Sequence, residues 1–239
     1  MIAVSDKTIR GLLFDKDGTL LDFQASWVPV NRGAAMAVAG GDEELAHRLL
    51  EVGGQDPRTD SVTAGSVLAR GTAPEIASTW IRHLPAHDYD AVVAQVSRVF
   101  DELSPRCAAP VTDLPRLFSR LRRRGLRLGV ATTDSQKGAI AALGRFGVLE
   151  MLDFVAGYDA GHGVKPDPGV VLAFCRELGL DPPRVAVIGD NPHDLEMGRG
   201  AGAGLVVGVL TGTGTRDALS ELADHVVPSI EDLEALLPT

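Results

Sequence analysis

The chain has 239 residues, 45% of them hydrophobic and 23% charged, which suits a folded protein of one or two domains. A net charge of −9 argues against nucleic acid and anionic membrane surfaces as partners. Two cysteines, Cys107 and Cys175, make no disulfide framework and fall in no metal-binding spacing, and no apolar run is long enough to span a bilayer.

The first strand is expected from about Ile9, which leaves no room for a secretion signal, so a soluble, cytoplasmic protein is expected. That strand ends in FDKDGTLLD (14–22), which crowds Asp15, Asp17 and Asp22 together. Like charges packed so closely repel one another unless a cation sits among them. From Asp22 to about Thr112 the spacing predicts helices near 27–39, 42–52, 74–84 and 88–103, with no convincing strand. The Gly/Ser/Thr-rich stretch 53–72 reads as a long loop, and Trp27 and Trp80 read as packing residues. Arg120, Arg122, Arg123, Arg124 and Arg127 cluster at the end of a further helix, where they complement the carbonyl end of its dipole.

After residue 112 the pattern alternates: strand 126–132, helix 136–147, strand 153–157, helix 168–179 stopped by Gly179, strand 184–190, helix 193–202 and strand 204–209. RDALSELA, the short run HVV and a closing helix IEDLEALL follow. Continuous Val/Ile/Leu strands separated by helices predict an α/β fold with a parallel sheet covered on both faces. The helical block interrupts that sheet after its first strand. The expected layout is a core of residues 1–21 and 113–239 carrying an inserted all-helical cap, 22–112.

Ligands of open parallel sheets bind beyond the carboxyl ends of the strands, so the polar residues there are the candidates. The first strand delivers Asp15 and Asp17, the second Thr132, Thr133 and Asp134, the loop after the third Lys165, and the fourth Asp190, with Asp194 one turn later. An all-oxygen set suits magnesium. A lysine is surplus for holding a metal but is needed if an anion binds too, and metal, lysine and hydroxyl together equip a site for a phosphoryl group.

Asp15-Lys-Asp17-Gly18-Thr19, Thr132, Lys165 and Gly189-Asp190-Asn-Pro-His-Asp194, in that order, resemble the four motifs of the haloacid-dehalogenase superfamily. More narrowly they are similar to the phosphoglycolate-phosphatase-like hydrolases with a helical C1-type cap. The resemblance implies a Rossmann-like core with strand order 5-4-1-2-3. It implies a magnesium-dependent phosphatase that acts through an aspartyl-phosphate on a small phosphorylated metabolite such as phosphoglycolate, as a monomer or homodimer. In that scheme Asp15 is the nucleophile and Asp17 the acid/base that also ligates magnesium through its backbone carbonyl. Gly18 and Thr19 contact the phosphate, as do Thr132 and Thr133, and Thr133 stands where the family usually has Asn. Lys165 neutralises charge, Asp15 and Asp190 ligate magnesium, and Asp194 ligates it directly or through water.

Competing readings are weaker. A calcium loop starting at Asp15 would need Gly and Glu where Leu20 and Ser26 stand. GRGAG (198–202) precedes a strand instead of following one, the reverse of a dinucleotide-binding order. Dehalogenases lack the second aspartate of the first motif, and phosphonoacetaldehyde hydrolases need a lysine in the cap, which 22–112 does not contain. A β-phosphoglucomutase-type mutase is the alternative enzyme, although LDFQASW lacks the histidine such enzymes place there. A catalytically silent phospho-ligand or protein-binding module is the alternative of another class. Substrate choice belongs to the cap, where Arg58 and Arg70 are candidates to pair a carboxylate. Asp22 is read as a cap for the first helix or a further catalytic group, and His162 and His193 are given no role.

Overall fold

Strands built from Leu, Val and Ile on both faces need cover on both sides, and the helices supply it. The computed structural model describes residues 8–85 and 88–237; positions 1–7 and 238–239 of the expected core and 86–87 of the expected cap lie outside the described residues. The strands are β1 (Gly11–Phe14), β2 (Arg127–Ala131), β3 (Phe154–Ala156), β4 (Val185–Gly189), β5 (Leu205–Val209) and β6 (His225–Val227). They form one parallel sheet in the order β3-β2-β1-β4-β5-β6. This differs from the expected 5-4-1-2-3 by one more strand at the β5 edge, the run HVV.

Register places the site. Phe14 lies level with Val130 on one side and Ile188 on the other. The first residues past the three strand ends, Asp15, Thr132 and Asp190, therefore leave the sheet close together at its carboxyl edge. The core beneath them holds Leu12, Phe14, Leu128, Val130, Ala186 and Ile188, all fully buried.

The intervening chain forms α1 (Phe23–Val38), α2 (Glu43–Gly53), α3 (Val67–Arg70), α4 (Ala73–Trp80) and α5 (Tyr89–Cys107). These helices enclose an apolar cluster of their own around Val30, Leu49, Ala77, Trp80 and Val96. α1 starts at Phe23, ahead of its sequence pattern, because Asp22 caps it: its carboxylate accepts from the Ala25 N–H at 2.8 Å. The stretch 53–72 is more ordered than a long loop, since it contains α3 and an antiparallel bridge between Gln55 and Val62.

The remaining helices are α6 (Leu114–Arg123), α7 (Gln136–Gly144), α8 (Gly169–Leu178), α9 (Pro192–Ala201) and α10 (Arg216–Ser220). Gly179, in the left-handed region, ends α8 as expected. The closing segment Ile230–Leu236 winds as a 3-10 helix instead of an α-helix, a common form for short terminal pieces. Among the described residues, no helix is long and apolar enough to cross a membrane.

The arginine cluster is used internally. Arg120 pairs Glu234 at 2.6 Å, while Arg122 and Arg127 reach Asp153 at 2.9 and 2.7 Å. Asp153 also accepts the Leu128 N–H at 2.9 Å, tying β2 to the turn before β3. Partial burial works against its charge, but these donors win and hold its carboxyl below the ordinary range. Its contribution to stability is thus present above the ordinary aspartate pKa and is lost as pH falls through the lower folded value. Asp153→Asn is expected to cost about 1–2 kcal/mol in denaturant unfolding at neutral pH, mostly through the bond to the backbone, and the deficit should shrink in acid.

Candidate active site

Past Phe14 the chain turns sharply over the sheet edge. The Asp15 N–H still donates to Ile188 O at 2.8 Å, and the Gly18 N–H closes the turn onto Leu21 O at 2.7 Å. Gly18 has φ +92°, and a Cβ there would lie 2.5 Å from Asp190 Cγ. Only glycine combines that conformation with so close an approach of the two acidic loops.

Three carboxylates converge under this turn. Asp15, Asp190 and Asp194 are buried, and each offers an oxygen within 4.8 Å of the others. Lys165 Nζ stands among them, 2.6 Å from Asp15 Oδ1 and 2.7 Å from Asp194 Oδ1. The surroundings orient each acid: Asp194 Oδ2 accepts the Asn191 N–H at 3.1 Å and Asp190 Oδ2 accepts the Thr213 N–H at 2.8 Å. Asp15 Oδ2 is buried and has no partner among the described residues.

The electrostatics are those of a site short of positive charge. Burial raises the Asp15 carboxyl to about 6; Lys165 pulls it down and Asp194 pushes it up. Burial, then Asp15 and Asp194, push Asp190 well above its ordinary value. Burial opposes the charge on Lys165, yet Asp15 and Asp194 outweigh it and the ammonium is held above its ordinary range. Three ionised carboxylates against one ammonium leave two negative charges unbalanced, which is the charge of a divalent cation. The oxygen-only donor set and the orphaned Asp15 Oδ2 fit a hard divalent cation, with Asp15, Asp190 and Asp194 as the side chains to hold it.

Two hydroxyls complete the edge. Thr132 is buried and its Oγ1 accepts the Asp134 N–H at 3.1 Å, so its own hydrogen remains to be given. Thr19 Oγ1 is buried without a partner among the described residues. Above them lies a cavity bounded by Asp17, Thr133 and Asp134 from the sheet edge and by Phe23, Trp27, Asn31, Leu68, Arg70, Ile76 and Phe100 from the helices.

The family model for haloacid dehalogenase-like hydrolases matches residues 9–202. The chain belongs to that family. Its curated relatives include N-acetylmuramic acid 6-phosphate phosphatase from Pseudomonas aeruginosa, 27% identical over 81% of this chain and 79% of that one. Phosphoglycolate phosphatase from Rhodospirillum rubrum is 28% identical, covering 83% and 78%. Among solved structures, CbbY from Rhodobacter sphaeroides in complex with phosphate aligns with TM-score 0.69 at 24% identity, covering 95% of this chain and 96% of that one. A hydrolase from Pseudomonas syringae aligns at 0.68 and 19%, covering 95% and 97%.

Within this dehalogenase-like hydrolase the sequence-derived candidates divide. Asp15, Lys165, Asp190 and Asp194 meet in one cluster, with Thr132 on the neighbouring strand end. Asp17 stands apart from the carboxylate cluster and lines the cavity, as Thr133 and Arg70 do. Arg58 does not line that cavity. It borders a separate depression with Glu51, Gln55, Asp56 and Thr63. Asp22 serves α1, and His162 stacks on Phe154 with ring centroids 6.0 Å apart. Trp80 is fully buried in the apolar cluster of the helical block, whereas Trp27, buried there too, also walls the cavity.

Two residues gain importance that sequence reasoning did not give them. Lys16 is fully buried, with Nζ 2.8 Å from Asp17 Oδ2 and 3.1 Å from Asp134 Oδ2, and 5.6 Å from the Trp27 ring centroid. Burial opposes its charge, but Asp17 and Asp134 outweigh that and keep it firmly protonated. Asp134 in turn accepts from Ser104 Oγ on α5 at 3.2 Å, so the acidic loop is wired to a helix of the inserted block. His193 is buried with neither ring nitrogen partnered among the described residues. Burial, then repulsion from Lys165 and Arg70, drives its imidazole down to about 3 against the pull of Glu75, so it is neutral at physiological pH.

Proposed function

We propose that this hydrolase is a magnesium-dependent phosphatase of small phosphorylated acids, with residues 22–112 as its cap and the cytoplasm as its place of work. The observation that carries the reading is Asp15: one carboxylate oxygen is clamped by Lys165 and the other is unpartnered, at the sheet edge where Thr19 and Thr132 have hydroxyl hydrogens to give. That is the arrangement of a nucleophile aimed at a bound phosphoryl group.

In the first step an Asp15 oxygen bonds to phosphorus and the bond from phosphorus to the alcohol oxygen breaks. Asp17, facing the cavity, gives that oxygen a proton, and an aspartyl-phosphate results. In the second step water attacks the same phosphorus, Asp17 takes its proton, and Asp15 is released with inorganic phosphate. Lys16 holds Asp17 in place for both transfers. Lys165 and the hydroxyls of Thr19 and Thr132 donate to phosphoryl oxygens, with backbone support at Gly18 and Thr133. Magnesium, when held by Asp15, Asp190 and Asp194 with the Asp17 carbonyl, supplies charge neutralisation at the phosphoryl group.

Among the described residues Arg70 is the one guanidinium bordering the cavity, and a guanidinium there suits a substrate carboxylate. The named substrates of the two phosphatase relatives are both phosphorylated acids, and phosphoglycolate is the first to try. Phosphate release from p-nitrophenyl phosphate is expected with magnesium and should fall on the order of 100-fold in EDTA. Absence of any release would leave the silent binding module as the better reading. Conversion of a sugar phosphate to its isomer, with no phosphate freed, would favour the mutase.

A further inference from the structure

The helical wall of the cavity over Asp17 carries Trp27, Leu68, Ile76 and Phe100, and Asn31 of α1 interrupts these apolar side chains. Asn31 is fully buried and its Oδ1 has no partner among the described residues. Which end of the amide is left over follows from a chain of bonds. Asn31 Nδ2 donates to Gln55 Oε1 at 3.0 Å, Gln55 Nε2 donates to Asp60 Oδ1 at 3.3 Å, and Arg32 Nε donates to the same oxygen at 2.8 Å.

Asp60, paired with Arg32, can only accept, so Gln55 must turn its N–H group toward it. The Gln55 carbonyl then faces Asn31, and only the Asn31 N–H group can meet it. Asn31 Oδ1 is thereby forced to be the free end. The anchor Asp60 sits in a turn at φ +62°, a left-handed conformation that aspartate tolerates better than most side chains. An unsatisfied buried acceptor on a residue of the cavity wall is the mark of a site that a ligand completes.

We propose that Asn31 Oδ1 receives a hydrogen-bond donor from the alcohol half of the substrate, a hydroxyl or an amide N–H, while Arg70 takes its carboxylate. The inference rests on the phosphatase reading above and narrows it. The substrate is a phosphorylated hydroxy acid or its amide-bearing equivalent. Phosphoglycolate, with no donor beyond its phosphoryl group, becomes a poor substrate, because it would leave the buried Asn31 Oδ1 unanswered. A pocket that hydrogen-bonds a substrate hydroxyl discriminates strongly against the analogue lacking it.

The test compares 3-phosphoglycerate with 3-phosphooxypropanoate, which differ only in the C2 hydroxyl, and uses p-nitrophenyl phosphate to establish that the enzyme is active. The wild type is expected to prefer the hydroxy acid by about tenfold to a hundredfold in kcat/KM, and Asn31→Leu to bring that ratio close to one. The ratio cancels any loss of folded protein, and Asn31→Ala is read the same way if the leucine variant does not fold. No preference in the wild type, or a preference that survives both substitutions, overturns the assignment of Asn31 and leaves the phosphatase standing. Failure to hydrolyse even the aryl phosphate overturns the phosphatase reading itself.

Discussion

Asp15→Asn is expected to reduce phosphate release by about four orders of magnitude or more while leaving the protein folded. An amide lacks the charge of a carboxylate and is a far weaker nucleophile toward phosphorus, so the first bond of the reaction does not form at a useful rate. The fold should survive because Lys165 keeps Asp194 as a partner at 2.7 Å. The pH dependence of stability supplies an independent check. The Asp15 carboxyl sits at about 6 in the fold against an ordinary 3.8, so folding favours its protonated form. Its favourable contribution is complete below the ordinary value and is lost as pH rises through the folded one. Without divalent metal, the wild type should therefore lose stability between about pH 4 and pH 6 through this group. The asparagine variant, which has nothing to titrate there, should show a flatter curve and be no less stable at pH 8. Thermal unfolding in EDTA across that range, beside phosphate-release rates with magnesium, measures both. A variant that retained a tenth of the wild-type rate would remove Asp15 from the nucleophile's place.

The parts of this site readable from sequence are those fixed by the end of a strand. Apolar runs place β1, β2 and β4, and in a parallel sheet of this register their next residues must emerge together; Asp15, Thr132 and Asp190 need no further information. Lys165 and Asp194 follow from motif spacing. What resisted reading depends on partners distant in sequence. Lys16 looks like a solvent-facing lysine between two acids until Asp134 arrives from the next strand and Trp27 from α1. β6 is three residues long, too short for any periodicity, and exists only because β5 offers it an edge.

The inserted block was less readable for a different reason. Its helices were visible by spacing, yet what matters at the cavity comes from the polar stretch 53–72. Its Gly/Ser/Thr composition reads as loop and conceals α3, which carries Arg70 at its end. The Asn31–Gln55–Asp60 chain spans α1 and that stretch, and no local pattern announces it. Arg58 and Arg70 were equivalent candidates by composition. Only the fold separates them, by placing one at the cavity and the other outside it.

Lys165→Met is expected to damage stability and activity together, and the way magnesium changes the damage is diagnostic. Methionine keeps much of the length and volume but removes the ammonium that Lys165 places against Asp15 and Asp194. Breaking a buried pair leaves an uncompensated charge and costs about 3–5 kcal/mol, unless the carboxylates take up protons instead. In the variant the folded-state pKa values of Asp15 and Asp190 rise further above their ordinary values, so the penalty should be smallest near pH 4 and grow as pH rises through them. A dication placed among the three carboxylates offsets the missing charge. Magnesium should therefore raise the unfolding midpoint of Lys165→Met by more than it raises that of the wild type. Activity is a separate matter, because the metal cannot reproduce a donor aimed from the lysine's own position at the Asp15 oxygen and the phosphoryl group. The rate should stay down on the order of 100- to 1,000-fold even at saturating magnesium. Equal magnesium shifts in the two proteins would mean that Lys165 is not the counter-ion of this cluster. Full recovery of the rate by magnesium would mean that its charge, and not its position, was all the reaction used.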